Sequence, residues 1–377
     1  MNFDLGSEHE LIRDTVRQFA LDRVAPVAEE LDRDKRFPYE LVAELGELGL
    51  MGMTIPEEYG GSGADTLSYA ICIEELTRID SSVAITVAAH HSLGTLPIYL
   101  FGNEEQKRAW LPDLASGRKL AAFGLTEPNA GSDAGATRTT ARLEGGEWVI
   151  DGAKMFITNA GTDISACVTI TALTGDGEIS NLIVPNGAPG YTISAPMQKL
   201  GWRASDTREL AFAGARVPEE NLLGPRGKGF HQFLEILDGG RISVAAMGVG
   251  LAQGCYDLAF AYAAEREQFG RPINQFQSVQ EKLVDMATEI EAARLLVYRA
   301  AWEKDQRRPF AQTAAMAKLY SGELSHRAAN WSLQIHGGYG FMDEYAISRL
   351  YRDQKILEIG EGTNEVQRMV IAKHLGL

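Results

Sequence analysis

Cysteine is scarce: Cys72, Cys167 and Cys255 are the only three, far apart and in no CxxC or CxxH spacing. That argues against a disulfide framework and against a zinc site, and leaves buried thiols as the expectation. Basic charge is also short, since 36 Lys and Arg against 51 Asp and Glu leave a formal net charge of −15. Such a chain repels a phosphate backbone, so nucleic acid is not an expected partner. A small polyanionic cofactor can still bind through backbone N–H groups and a few local arginines. No apolar run approaches the roughly 20 residues that span a bilayer, so no membrane partner is expected. The N-terminal MNFDLGSEHELIRD lacks both a basic start before an apolar stretch and an acid-poor, arginine-rich pattern. The expected location is therefore cytoplasmic.

What remains reads as a globular protein of enzyme size. Hydrophobic content of 45% with 23% charged residues is ordinary for a packed core, and 377 residues predict two or three domains. Ser7 with Glu10 reads as a capping box, and Ile12, Val16, Phe19 and Ala20 recur at helical spacing. Helical signals continue through PYELVAELGELGL, Thr66 to Leu76, SSVAITVAAHHSLGTLPIYLFG and NEEQKRAWLPDLASG, giving an α domain over 1–118. Short apolar runs broken by Gly, Asn and Pro follow, with Gly145-Gly146 placed in a hairpin turn, and define a β domain over 119–225. From GKGFHQFLEILDGGRISVAAMG the period is helical again, giving a second α domain over 226–377. The fold class is α+β multidomain, in the order α, β, α.

Some patterns that resemble sites fail on inspection. GVGLAQG, Gly248 to Gly254, is one residue too long for a dinucleotide fingerprint, follows no strand, and reads as a close helix contact. GPRGKGF lacks the spacing and the Ser/Thr of a P-loop, and AGSDA has alanines where a nucleophile elbow needs glycines. His90 and His91 point about 100° apart on a helix and cannot share a metal as an i, i+4 pair could.

The stretches GLTEPNAGSDAGATRTTA with GAKMFITNAG, DGGRISVAA, AEREQFGRPINQFQSVQ, and QIHGGYGFMDEY with EGTNEVQ occur in that order. Together they resemble the acyl-CoA dehydrogenase family over nearly the whole chain. The resemblance implies a helical N-terminal domain, a central β-barrel-like domain and a C-terminal four-helix bundle. It also implies FAD as cofactor, an acyl-CoA substrate, an electron-transfer flavoprotein as partner, and a homo-oligomer, a tetramer. By the same resemblance Phe123, Leu125, Thr126, Ser132, Phe156, Ile157 and Thr158 contact FAD. Phe156 stands where many relatives carry tryptophan. The ordinary reading of TEPNAGSD is an interdomain connection in which Pro128 fixes a turn and Gly131 lets backbone amides converge.

Further FAD contacts are implied from a neighbouring subunit at Arg266, Phe269, Gln277, Gln334, Ile335, Gly337 and Gly338, and near the last helix at Thr363 and Glu365. Arginine offers a permanent planar charge to a pyrophosphate, and paired glycines admit close backbone approach. Taken singly, Arg266 reads as a solvated helix charge and Gly337-Gly338 as a helix C-cap. Ser132, Asp238, Arg241 and Gly362 are the implied substrate contacts.

The stretch GEGT poses the sharpest question. Glu361 alone reads as a solvated carboxylate at a helix start. The resemblance makes it the base that removes the α-proton of a thioester while the β-hydride passes to flavin N5. An apolar pocket raises a glutamate's pKa and suits it to that task, and the Glu361 N–H can polarise the thioester carbonyl. Some relatives carry the base just before the arginine of DGGR, where this chain has Gly240. That glycine removes bulk near the thioester and leaves room for a 2-methyl branch. Thr363 is predicted to cap the last helix, with Val366, Met369 and Val370 packed inward. The reading is α,β-dehydrogenation of a short or short branched-chain acyl-CoA. An acyl-CoA oxidase, a dehydrogenase of an acyl-carrier-protein thioester and a silent flavin-binding scaffold are the alternatives.

Overall fold

The computed structural model describes residues 4–377; the first three residues of the N-terminal stretch read above lie outside the described residues. The N-terminal helices are α1 (Ser7–Phe19), α2 (Ala28–Asp34), α3 (Tyr39–Glu47), α4 (Thr66–Ile79), α5 (Ser81–Ala88), α6 (Leu96–Phe101) and α7 (Glu104–Ala115). Side-chain oxygens open several of them. Asp65 accepts from Ser68 N at α4, Asp80 from Val83 N at α5, and Asn103 with Gln106 forms a capping box at α7. The box predicted at Ser7 is not formed. Gly6 is the N-cap of α1, so Ser7 is already inside the first turn and its hydroxyl makes no cap bond.

The strands are β1 (Leu120–Gly124), β2 (Thr140–Glu144), β3 (Glu147–Thr158), β4 (Ser165–Gly175), β5 (Glu178–Pro185), β6 (Tyr191–Ile193), β7 (Thr207–Pro218) and β8 (Leu222–Leu223). They form an open sheet in the order β6-β7-β3-β2-β4-β5-β8, with β1 joined in parallel to β4. Gly145 (φ 65°) and Gly146 (φ 86°) make the expected β2–β3 hairpin turn, where only left-handed residues match the strand twist. Trp148, Ile150, Leu210, Phe212 and Val217 fill the core of this sheet.

The C-terminal helices are α8 (Gly229–Glu265), α9 (Gln277–Asp305), α10 (Ala311–His336), α11 (Ala346–Asp353) and α12 (Asn364–Leu375). α8, α9 and α10 pack on one another, α12 packs on α10, and α4 of the N-terminal part shares their core. The GVGLAQG stretch is the close helix contact expected of it. A Cβ on Gly250 would fall on the Glu74 carbonyl of α4, and one on Gly248 would lie 2.8 Å from Ser321 Cβ of α10.

Two sequence readings are refined. The helical stretches Ser81–Phe101 and Gly229–Glu265 are long and apolar enough to cross a membrane by length and composition, yet 83% and 67% of their apolar windows are buried inside the fold. Their apolarity serves a helix surrounded by other helices. On α12, the expectation fails for Met369, which is 70% exposed, while Val366 and Val370 are half-buried and Asn364 and Gln367 are buried. Thr363 caps the helix as predicted, and Asn364 and Gln367 turn to Lys318 of α10 and to the loop before the helix.

Candidate active site

α11 ends in a 3₁₀ turn, Gln354–Glu358, and the chain then passes through Gly360, Glu361 and Gly362 before Thr363 caps α12. Glu361 has φ 51°, a left-handed conformation uncommon outside glycine, and Gly362 follows at φ 93°. Gln367 Nε2 donates to the Gly362 carbonyl at 2.9 Å, and Lys318 Nζ donates to it at 2.8 Å. These bonds hold a strained turn in place.

The turn sends the Glu361 side chain inward to α8. Oε2 is sealed from water and has no hydrogen-bond partner among the described residues, although the residue as a whole stays partly accessible through its other atoms. A Cβ on Gly240 would fall on that oxygen, with Glu361 Cδ at 3.1 Å and Leu93 Cδ2 at 3.6 Å. The space that Gly240 frees therefore holds the carboxylate itself. It is room for Glu361 and no vacant slot for a branched acyl group. Burial pushes the Glu361 carboxyl up to about 7, against the opposing pull of Lys318 and Arg241. Arg241 is buried one residue further along α8 and pairs with Asp238, while its Nε has no partner. An unpaired, sealed carboxylate of raised pKa beside two cations is suited to accept a proton from a bound molecule.

The second group of residues lies on the sheet. Phe156 is 64% exposed at φ 63°, and the β3–β7 register shifts between Lys154 and Ile157. This bulge turns Phe156 outward and Ile157 inward, so Ile157 is 3% exposed in the sheet core and offers a ligand only its backbone. Phe123 also faces inward, stacked on Phe233 of α8 with ring centroids 6.2 Å apart. Leu125, Thr126 and Thr158 are half-buried, and Ser132 is exposed on the open loop beside Gly131, around which nothing lies within 4 Å of a would-be Cβ.

Beneath that loop is a buried ion pair that the sequence reading did not single out. Lys154 Nζ donates to Glu127 Oε1 at 2.7 Å, Thr171 Oγ1 at 3.0 Å and the Leu125 carbonyl at 3.2 Å. Glu127 also accepts from the backbone of Arg138 at 2.8 Å and of Thr139 at 3.1 Å. Burial opposes the charge on Glu127, but Lys154 and those donors hold its carboxyl below the usual range. The pair ties the loop carrying Leu125, Thr126 and Ser132 to β3 and β4.

The third group is brought together elsewhere. A cavity of about 560 Å³ is lined by Tyr262, Arg266, Ile335, Gly337, Gly338 and Tyr339, among others, all from the C-terminal part. A neighbouring one of about 390 Å³ takes in Phe269, Gln334 and Ile335. Arg266 lies over the Tyr339 ring at 5.5 Å, and Phe269 is 94% exposed. Gly337, at φ 59° and ψ −138°, has a backbone open only to glycine, and no atom lies within 4 Å of a would-be Cβ there or at Gly338. Gln277 is exposed at the start of α9, where its amide bonds Glu281 at 3.1 Å. Glu365 is exposed in the first turn of α12, its carboxyl held low by its own backbone N–H and the Thr363 hydroxyl.

The two histidines set aside above are structural. His90 Nδ1 accepts from Ala121 N at 3.1 Å with Nε2 2.9 Å from the Leu114 carbonyl, and His91 Nε2 is 2.9 Å from Thr54 Oγ1. Burial pushes them down to about 4 and about 3, so both are neutral.

Known proteins share this arrangement along the full chain. The sequence models of the acyl-CoA dehydrogenase N-terminal, middle and C-terminal domains match residues 6–118, 122–215 and 227–376. A Bacillus subtilis protein described as a probable acyl-CoA dehydrogenase is 53% identical, with 100% of both chains covered. A short-chain specific acyl-CoA dehydrogenase of Clostridium acetobutylicum is 45% identical over 99% of each chain. Butyryl-CoA dehydrogenase from Megasphaera elsdenii superposes with a TM-score of 0.97 at 42% identity, covering 100% of both chains. A structure described as concerning the electron transferring flavoprotein of Acidaminococcus fermentans gives the same TM-score, 0.97, at 43% identity, covering 100% of this chain and 99% of that one. The fold and site define a flavoprotein oxidoreductase that acts on a CH–CH bond with FAD as cofactor. The chain belongs to the acyl-CoA dehydrogenase family.

Proposed function

We propose that the protein desaturates a short acyl-CoA at its α,β bond, with Glu361 as the base. FAD, when bound, supplies the acceptor for the β-hydride. The exposed Phe156, the half-buried Thr126 and Thr158 and the open loop at Ser132 suit a planar ring system, and the cradle around Arg266, Gly337 and Gly338 suits a pyrophosphate. The latter cradle draws only on the C-terminal part. This supports a cofactor shared between copies of the chain, and with it a homotetramer.

The observation that carries the reading is Glu361 Oε2, sealed and unpartnered in the space left by Gly240. A buried acceptor without a donor is costly to the fold, and a positioned base is a function that accounts for it. In this reading the carboxylate takes the α-proton as the C=C bond forms, and the Glu361 N–H polarises the thioester carbonyl, with Arg241 as a further substrate contact. An electron-transfer flavoprotein is the proposed acceptor, supported by the described subject of the Acidaminococcus fermentans structure.

The test is an anaerobic panel of acyl-CoAs read by flavin absorbance, followed by dye-coupled turnover. We expect kcat/KM to peak at butyryl-CoA, with the 2-branched isobutyryl- and 2-methylbutyryl-CoA below it, and to fall by about 10-fold or more toward long chains, since each methylene mismatched to an apolar pocket costs roughly 1 to 3 kcal/mol. A maximum at palmitoyl-CoA contradicts the short-chain reading. Peroxide formed as fast as the dye is reduced contradicts the proposed acceptor, and a monomer by light scattering with full FAD contradicts the shared site.

A further inference from the structure

Lys318 is 0% exposed in the middle of α10. Its neighbours on that face are small, Ala314, Ala317, Ser321 and Ser325, all buried. Its ammonium donates to the Gly362 carbonyl at 2.8 Å and to Asn364 Oδ1 at 3.3 Å, and among the described residues it forms no salt bridge. Burying an ammonium without a carboxylate is expensive, and such a group is retained where its charge or its geometry is needed. Burial pushes it down to about 8, and the carboxylate that most opposes this is Glu361, followed by Glu358.

The same loop holds a second unbalanced charge. Glu361 Oε2 has no donor, and the cations that act on it are Lys318 from α10 and Arg241 from α8. Arg241 is already engaged by Asp238. From α4, Tyr69 is buried and feels the Glu361 charge, and its hydroxyl donates to the Ala88 carbonyl at 3.2 Å. Glu358, on the same segment as Glu361, is paired with Lys355. Glu365 points to solvent. Among the described residues, Lys318 of α10 is thus a cation facing this loop that no carboxylate pairs with.

We propose that Lys318 is a positioning residue for the base: it fixes the left-handed Glu361–Gly362 turn through the Gly362 carbonyl and supplies the counter-charge of the Glu361 carboxylate. This rests on Glu361 being the base. Removing the charge favours the protonated carboxyl, so the pH at which the base becomes competent rises. Removing the hydrogen bond as well frees the turn.

Lys318→Gln keeps a donor and loses the charge; Lys318→Met loses both. In Lys318→Gln the ascending limb of the pH profile for flavin reduction is expected to move up by about one pH unit, roughly 10-fold in rate at a fixed pH below it, with FAD content unchanged. Lys318→Met should show the same displacement and a lower limiting rate. Independently of turnover, the infrared band of the protonated Glu361 carboxyl, identified by its loss in Glu361→Gln, should persist to higher pH in Lys318→Gln. Asn364→Asp leaves the lysine charged but offsets its field at Glu361 with a carboxylate beside it, and carries the same expectation for the pH limb if the Lys318 variants do not fold. A pH limb and an infrared titration that both coincide with wild type, in a protein whose Glu361→Gln variant is inactive, overturn the role of Lys318 alone. Flavin reduction that survives Glu361→Gln overturns the base itself.

Discussion

Glu361→Gln is expected to keep FAD, bind acyl-CoA and reduce its flavin at least 100-fold more slowly, a loss of roughly 2.7 kcal/mol or more in transition-state stabilisation. The fold should tolerate the change. With the carboxyl pushed up to about 7, the native site already accommodates a neutral group at neutral pH, and glutamine has the same outline. The amide also fits the space against Gly240, whose missing side chain gives Oε2 its room. What the amide cannot do is accept a proton from carbon. Stopped-flow mixing with butyryl-CoA separates the steps, because a spectral perturbation reports binding and bleaching reports reduction. Bleaching within a few fold of wild type would falsify the assignment of Glu361.

The sequence made some of this legible and hid the rest for definable reasons. Periodicity located the helices and the hairpin because each is a repeating pattern, and the glycines of GVGLAQG could be read as a packing seam because no strand precedes them. The resemblance pointed to Glu361, but its sealed oxygen depends on Gly240, 121 positions earlier, and the distance between them is a property of the fold. Parity along β3 places Trp148, Ile150 and Lys154 on one face, and that was a usable sign that Lys154 is buried, as all three are. The same parity would turn Phe156 inward. It faces out because a bulge and a positive φ intervene, which no two-residue rule anticipates. Lys318 had a weaker signal, a lysine on the small-residue face of an alanine-rich helix. The exposed Met369 shows the opposite error, since it was assigned to one inward face with Val366 and Val370, which are half-buried, while the fully buried positions of the helix are the polar Asn364 and Gln367.

Lys154→Met tests whether the sheet face depends on its buried ion pair. The substitution leaves a side chain of similar length but removes all three donations, to Glu127, Thr171 and the Leu125 carbonyl. Glu127 would keep only the backbone donors of Arg138 and Thr139 for a charge that is almost wholly out of water. Breaking one side of a buried pair costs about 3 to 5 kcal/mol, because the surviving charge is stranded. Part of that strain can be released by letting the loop around Glu127 swing out to water, and this is the route with functional consequences. The loop carries Leu125, Thr126 and Ser132, and Met155 N also donates to the Thr126 carbonyl at 2.8 Å. The expected result is a lower melting temperature together with purified protein that has lost most of its FAD, while the C-terminal cradle around Arg266 is untouched. Lys154→Met combined with Glu127→Gln removes the stranded charge and should recover part of the melting temperature, since the cost lies in the unpaired ion more than in the missing bond. If Lys154→Met keeps full FAD occupancy and melts with wild type, the pair does not hold the loop, and the order of that surface must come from the strands alone.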